Sequence, residues 1–219
     1  MEKFAGVISH DIKSPLNSII SLIGLIKENS ETAFKEEDFE YLSMIEECSF
    51  QLKNYIDGVL NYYKLDSMDL SVKNEILVVD LIDEIRSMLN LNSKVSISYH
   101  SVYSSLIISK YALIQILMNL VGNGIKYNDK ENAEVKISFE ENSDTYIIKV
   151  SDNGIGMKSE HFEEIYQSFK NLNIKDRFGN YGTGMGLSTV KKIVDKLNGR
   201  IEIESELTKG TTFTVHLKK

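Results

Sequence analysis

Several residue types are scarce in this chain. Of its 219 residues one is cysteine, one is proline and none is tryptophan. A lone Cys48 excludes an intramolecular disulfide framework and suits a reducing compartment; on its helix it reads as a small buried apolar residue. Positive charge is also in deficit, with 25 Lys and Arg against 32 Asp and Glu and a net charge of −7. That balance excludes nucleic acid as the main partner, because such surfaces need a basic footprint. An anionic ligand must then be met by local groups. No apolar run approaches the roughly 18 residues of a membrane span. The most apolar early stretch, Ile19 to Ile26, is interrupted by Ser21 and Gly24 and follows Asp11 and Lys13, unlike a signal peptide. The expected location is cytoplasmic, with any membrane anchor of a parent protein in a region preceding this chain.

What is present is periodicity. Between about Glu2 and Lys27, Phe4, Val7, Ile8, Ile12, Ile19, Ile23 and Ile26 recur at three- and four-residue intervals. After a polar patch from Glu28 to Lys35, a second stripe runs from about Glu36 to Lys64 through Phe39, Leu42, Ile45, Leu52, Ile56, Val59 and Tyr63. The two predict an antiparallel helical hairpin, and two helices enclose no core, so a homodimeric four-helix bundle is expected. Pro15 falls inside the first stripe and cannot donate to the carbonyl of Asp11, which predicts a bend one turn after His10.

The helical pattern gives way over Asp66 to Lys73, which divides the chain into 1–68 and 69–219. Beyond it, helices are predicted over Val79–Leu91, Tyr111–Lys126 and Leu187–Leu197, the last closed by Asn198-Gly199. Strands are predicted over Lys94–Tyr99, Ser105–Ile108, Glu134–Phe139, Thr145–Ser151, Arg200–Glu204 and Thr211–Leu217. Met157 to Gly182 lacks regular periodicity apart from a short helix over Ser159–Tyr166, and a loop of that length reads as a lid or binding loop. The fold class is therefore α+β: a helical hairpin, then an α/β sandwich in which an open mixed sheet carries its helices on one face.

Three stretches carry chemistry. In YALIQILMNLVGNGIKYN, Asn119, Asn123, Lys126 and Tyr127 share one helix face. Asparagine is a poor interior helix residue, so two aligned with a lysine suggest a ligand-facing surface as the alternative to a solvated one. An asparagine oxygen suits Mg²⁺ and a lysine suits phosphate. Strand Tyr146 to Ser151 runs into Asp152-Asn153-Gly154-Ile155-Gly156-Met157, a carboxylate followed by glycines, which is either a ligand loop or a tight turn. Gly182-Thr183-Gly184-Met185-Gly186-Leu187 opens a helix whose free N–H groups suit an anion. It is neither a GxxxxGK[ST] P-loop nor a GxGxxG fingerprint.

In this order the stretches resemble the catalytic core of a two-component sensor histidine kinase. FAGVISHDIKSPL, residues 4–16, is similar to the family's H box, ALIQILMNLVGNGIKYN to its N box, SDNGIGM to its G1 box, IYQSF to its F box and GTGMGLSTVKKIVDKLNG to its G2 box. The resemblance covers nearly the whole chain. It implies the Bergerat-type ATP-binding fold and, as cofactors, ATP and Mg²⁺.

Residue by residue, it implies that His10 accepts the phosphoryl group while Asp11 takes the Nδ1 proton and leaves Nε2 to attack. Asp152 would accept from the adenine amino group and Asn123 would ligate Mg²⁺. Asn119 and Lys126 would lie near the phosphates, with Tyr127 packed by the nucleotide. Gly154 and Gly156 would shape the pocket floor. Gly182, Thr183, Gly184, Gly186 and Leu187 would form the lid hinge and phosphate turn. Tyr166 and Phe169 would anchor the lid, and Lys175 or Arg177 would reach the γ-phosphate. The implied partners are a second copy of the chain, a response regulator receiver domain, and an upstream sensor domain outside this chain.

Some positions depart from the family pattern. Gly124 replaces a usual alanine, Tyr166 a usual phenylalanine, and Ser109-Lys110 a typical Gly-Asp. Ser14 stands where threonine or asparagine usually positions water for dephosphorylating the regulator, which leaves phosphatase activity open. The competing readings are a catalytically degenerate nucleotide-binding scaffold and an ATPase of the gyrase or Hsp90 type; the latter lack an H-box hairpin.

Overall fold

The computed structural model describes residues 15–26, 36–91 and 93–219. They fall into two compact units, Met1–Lys64 and Leu65–Lys219. In the first, α1 occupies residues 15–26 and α2 spans Glu36–Ser67, continuing past the unit's end. Ile19 of α1 and Leu52 and Ile56 of α2 line one groove, and Leu22 and Tyr55 are buried. Much of the apolar stripe stays exposed in the single chain: Phe39 is 63% accessible, and Ile23, Leu42 and Ile56 are each about 40%. Pro15 is the first described residue of α1, so the bend expected over His10 to Pro15 lies outside the described residues, as does the loop from Glu28 to Lys35.

The second unit holds a five-stranded mixed sheet in the order β2 (Val95–Ser101), β4 (Ala133–Glu141), β5 (Thr145–Asp152), β7 (Gly210–Lys218) and β6 (Arg200–Glu206). Only the β2–β4 pair is parallel. Register follows side-chain alternation: Ile137 opposes Val150, Val150 opposes Phe213, and Ile148 opposes Val215, all buried on one face. Helices α3 (Val78–Met88), α4 (Lys110–Lys126) and α5 (Gly186–Lys196) supply the rest of that core through residues such as Leu81, Ile85, Leu113, Leu117, Val190 and Ile193. The opposite face is polar, with Lys149 paired to Glu140 at 3.0 Å.

A separate two-stranded antiparallel sheet joins β1 (Asn74–Leu77) to β3 (Ser105–Ile108). β1 was not expected from the sequence. The expected helix over Ser159–Tyr166 is instead two 3₁₀ turns, Ser159–His161 and Glu164–Tyr166. Helix α5 ends as predicted at Asn198-Gly199, but the left-handed residue is Asn198, φ 52°, while Gly199 donates back to the carbonyl of Val194.

The second unit begins four residues before the expected division at 68/69, and Leu65 shows why. It is 1% exposed, a core residue of the second unit. Lys196 of α5 donates to the carbonyls of Leu65, Asp66 and Met68, and Lys192 pairs with Asp66 at 2.8 Å. The carbonyls where α2 ends thus meet the Lys196 ammonium, the Leu65 carbonyl accepting from the Met68 N–H as well.

Candidate functional site

Helix α4 starts on Ser109, whose hydroxyl accepts from the Ala112 N–H, while Lys110 pairs with Glu84 at 2.9 Å. Ser109-Lys110 is therefore a helix cap and an anchor to α3. Two turns on, the Asn119 amide donates to the Gln115 carbonyl at 2.8 Å. A Cβ placed on Gly186 would lie 2.9 Å from Asn119 Oδ1 and 3.9 Å from Asn123 Nδ2. The first residue of α5 thus sits directly against both asparagines. No side chain caps that helix end, so its first N–H groups and positive dipole face a site walled by amides.

Asp152 ends β5. Its Oδ1 accepts from the backbone N–H of Gly154 at 2.8 Å and of Thr211 at 3.2 Å. Burial pushes the Asp152 carboxyl above its ordinary range, only partly offset by those two donors. Its Oδ2 lies over Gly124, where an added Cβ would come within 2.9 Å of Asp152 Cβ and 3.4 Å of Oδ2. Gly124 in place of alanine makes room for this carboxylate.

Tyr127 joins the glycine loops. Its carbonyl accepts from the Ile155 N–H at 3.1 Å, and a Cβ on Gly154 would lie 2.4 Å from that oxygen. Its hydroxyl faces Gly182, where a Cβ would come within 2.3 Å. Burial, and then the Asp176 charge, hold the Tyr127 hydroxyl above the usual phenol range. Gly156, φ 64°, backs onto the Glu206 carbonyl, and Gly210, φ 112°, backs onto the carbonyl of Asp152; an added Cβ would come within 2.0 Å in each case. The floor of the site is backbone packed on backbone.

The loop over it is fastened at several points. Gly184, φ 68°, accepts from the Phe169 N–H at 3.1 Å, and Ile165 is buried with Tyr166 packed on the core. Leu187 packs on the same core, whereas Thr183 is half-buried. Asp176 Oδ1 accepts from the N–H groups of Phe178 and Asn180, closing a small loop in which Lys175 bridges Tyr181. Lys175 is exposed, with Nζ 5.5 Å from the Tyr181 ring centroid. Lys126 is also exposed. The Arg177 guanidinium donates to the Lys130 carbonyl at 3.3 Å. His10, Asp11 and Ser14 lie outside the described residues.

Residues 109–219, about half of the chain, match the family model described as histidine kinase-, DNA gyrase B-, and HSP90-like ATPase. The chain belongs to this ATPase family. Residues 1–67 match the His Kinase A phospho-acceptor domain, and the two together make it a sensor histidine kinase catalytic core. It is similar to cyanobacterial phytochrome B of a Nostoc species, 31% identical over 97% of this chain and 29% of that protein. It is also similar to sensor protein SrrB of Staphylococcus aureus, 28% identical over 99% of this chain and 38% of that protein. The chain thus spans well under half the length of these relatives. Among solved structures, histidine kinase ThkA in complex with response regulator protein TrrA aligns over 99% of this chain and 61% of that one, with TM-score 0.72 and 21% identity. Histidine kinase AdeS of Acinetobacter baumannii aligns over 95% of this chain and 97% of that one, with TM-score 0.68 and 19% identity. These structures share the fold.

Within this ATPase fold, two contributors carry no motif of their own in the sequence. Thr211 supplies the second N–H to Asp152, and its hydroxyl lies 2.9 Å from Ser205. Its only local signal is the Gly210-Thr211-Thr212 run opening a strand. Asn128, 3% exposed, donates to the Gly124 carbonyl and to Asn153 Oδ1, tying the end of α4 to the loop after β5. A third asparagine of the stretch, just past Tyr127, is visible in the sequence, but not its partner across the fold.

Among the described residues no group of three His, Cys, Asp or Glu could hold a metal ion. The donor set fits Mg²⁺ nonetheless, because that ion keeps several waters and takes phosphate oxygens beside few protein oxygens. Asn123, next to an uncapped helix end, offers that single amide.

Proposed function

We propose that the chain is an ATP-dependent protein histidine kinase core that phosphorylates His10 and passes the phosphoryl group to an aspartate of a response regulator receiver domain. The observation that carries this reading is Asp152. One of its oxygens is occupied by two backbone N–H groups, which aims the other as an acceptor beside Gly124, where an adenine amino group would donate. Tyr127 and Gly154 would flank the base and ribose, while Asn119, Lys126, Lys175 and the N–H groups from Gly182 to Leu187 would meet the phosphates. Asn123 would hold Mg²⁺, which when bound neutralises phosphate charge.

Phosphoryl transfer needs in-line placement more than covalent assistance. Nε2 of neutral His10 forms the P–N bond as the bond from the γ-phosphorus to the β,γ-bridging oxygen breaks, and ADP leaves. Asp11 holds the Nδ1 proton. A receiver aspartate oxygen then forms a P–O bond as the P–N bond breaks, regenerating neutral His10. The exposed apolar stripe of α1 and α2 supports a homodimer through the hairpin. No described helix is long and apolar enough to cross a membrane; a cytoplasmic setting, with any sensor or anchor elsewhere in a parent protein, fits this reading.

Incubation with γ-labelled ATP should give an acid-labile, alkali-stable phosphoprotein. His10→Gln should remove the label, and Asn123→Ala should remove it without unfolding the chain. Normal labelling of H10Q would overturn the assignment.

A further inference from the structure

Arg177 carries the one guanidinium in the loop over the site, and a cation there invites a role on the γ-phosphate. Its contacts say otherwise. Its backbone N–H donates to the Lys126 carbonyl at 2.8 Å and its Nη2 to the Lys130 carbonyl at 3.3 Å. Both acceptors belong to the turn that ends α4, and they bracket Tyr127 in sequence. Tyr127 in turn touches Gly154 through its carbonyl and Gly182 through its hydroxyl. The loop on the other side of Arg177 is already rigid, because Asp176 caps it from within and its own N–H donates to the Asn180 carbonyl at 2.8 Å. Among the described residues Nη1 is buried with no hydrogen-bond partner, while Nη2 holds the guanidinium on the turn.

We infer that Arg177 is a positioning residue: it clips the preformed Lys175–Tyr181 loop to the 126–130 turn, fixing Tyr127 and through it the Gly182 hinge. It acts on the nucleotide as a whole, through Tyr127, and does not touch the γ-phosphate. A hydrogen bond from a charged donor typically contributes enough to change affinity about tenfold.

The test measures ADP and ATP binding by the full chain, unaltered and as variants, with circular dichroism to confirm folding. Arg177→Met should weaken ADP and ATP by the same factor, about tenfold. Arg177→Lys, which keeps a donor, should recover most of that loss. In a Tyr127→Ala background, R177M should add less than about twofold, since residues acting through one another are not additive. Weakened ATP with unchanged ADP overturns the inference, as does a full additional loss in the Y127A background. Should R177M not fold, R177K is read against ADP and ATP, where loss confined to ATP again overturns it and equal affinities or equal losses support it. The inference rests on the pocket being the ATP site. If the unaltered chain bound neither nucleotide, that reading would fail, whereas ATP-only loss in R177M removes only the role of Arg177.

Discussion

Gly124→Ala sets two known effects against each other. In a helix interior alanine is favoured over glycine by about 1 kcal/mol, so on helix propensity alone the variant should gain stability. The new Cβ, however, would sit 2.9 Å from Asp152 Cβ and 3.3 Å from Val135 Cγ2. Carbon atoms prefer about 3.5–4.0 Å, so Asp152 must yield by roughly half an ångström or more and Val135 by a few tenths. Neither moves easily, because Val135 is fully buried on β4 and is the register partner of Asp152. Overpacking of this kind costs about 1–3 kcal/mol, giving a net loss of about 0–2 kcal/mol. The larger effect falls on function. Asp152 is displaced from the position its two backbone donors define, and losing about 1.4 kcal/mol of a charged hydrogen bond weakens nucleotide about tenfold. Urea unfolding and titration calorimetry with ADP measure the two effects separately. A variant stabilised by the full 1 kcal/mol with unchanged ADP affinity would refute the reasoning.

Other changes follow from the same geometry. Asp152→Asn keeps an oxygen for Gly154 and Thr211 but turns an amide N–H toward the base, so ADP affinity should fall by at least about 30-fold while folding is not weakened. Because burial raises the Asp152 pKa, the folded state takes up a proton more readily than the unfolded one. The wild type therefore gains stability as pH falls from the raised folded value toward the ordinary 3.8, and the advantage of D152N should shrink over that window in melts at several pH values. Nucleotide binding by the wild type should weaken over the same window, since only the ionised carboxylate accepts on both oxygens. Tyr166 has a buried hydroxyl without a partner among the described residues and a pKa pushed up to about 12 by burial and then Glu163. Tyr166→Phe should leave ADP binding intact and raise stability by up to about 1 kcal/mol, read from the thermal midpoint. Leu65→Ala empties a fully packed position and should cost about 2–5 kcal/mol in the unfolding of residues 65–219.

Much of this was legible because it is written in local periodicity. Each long helix and each strand of the large sheet announces itself by apolar spacing, and Asn119, Asn123 and Asp152 stand out as polar residues where local rules disfavour them. β1 did not, because Asn74–Leu77 has one buried apolar residue and is held by β3 and by Val78 donating to the Ser104 carbonyl. The contribution of Thr211 was hidden for the same reason: it arises from strand pairing of β5 with β7. Gly124 was legible as an oddity, but its cause, a carboxylate on another strand, was not. Arg177 was read by its charge, whereas its place is set by two carbonyls around a residue 50 positions earlier in sequence.

The second donor to Asp152 lies 59 residues downstream of it, and the loop that bears the carboxylate is sealed by Gly210. During synthesis every other strand of the large sheet leaves the ribosome before β7 does. Asp152 therefore gains its second donor only when β7 pairs with β5, so nucleotide cannot act as a template for the early folding of this domain and can only reward its completion.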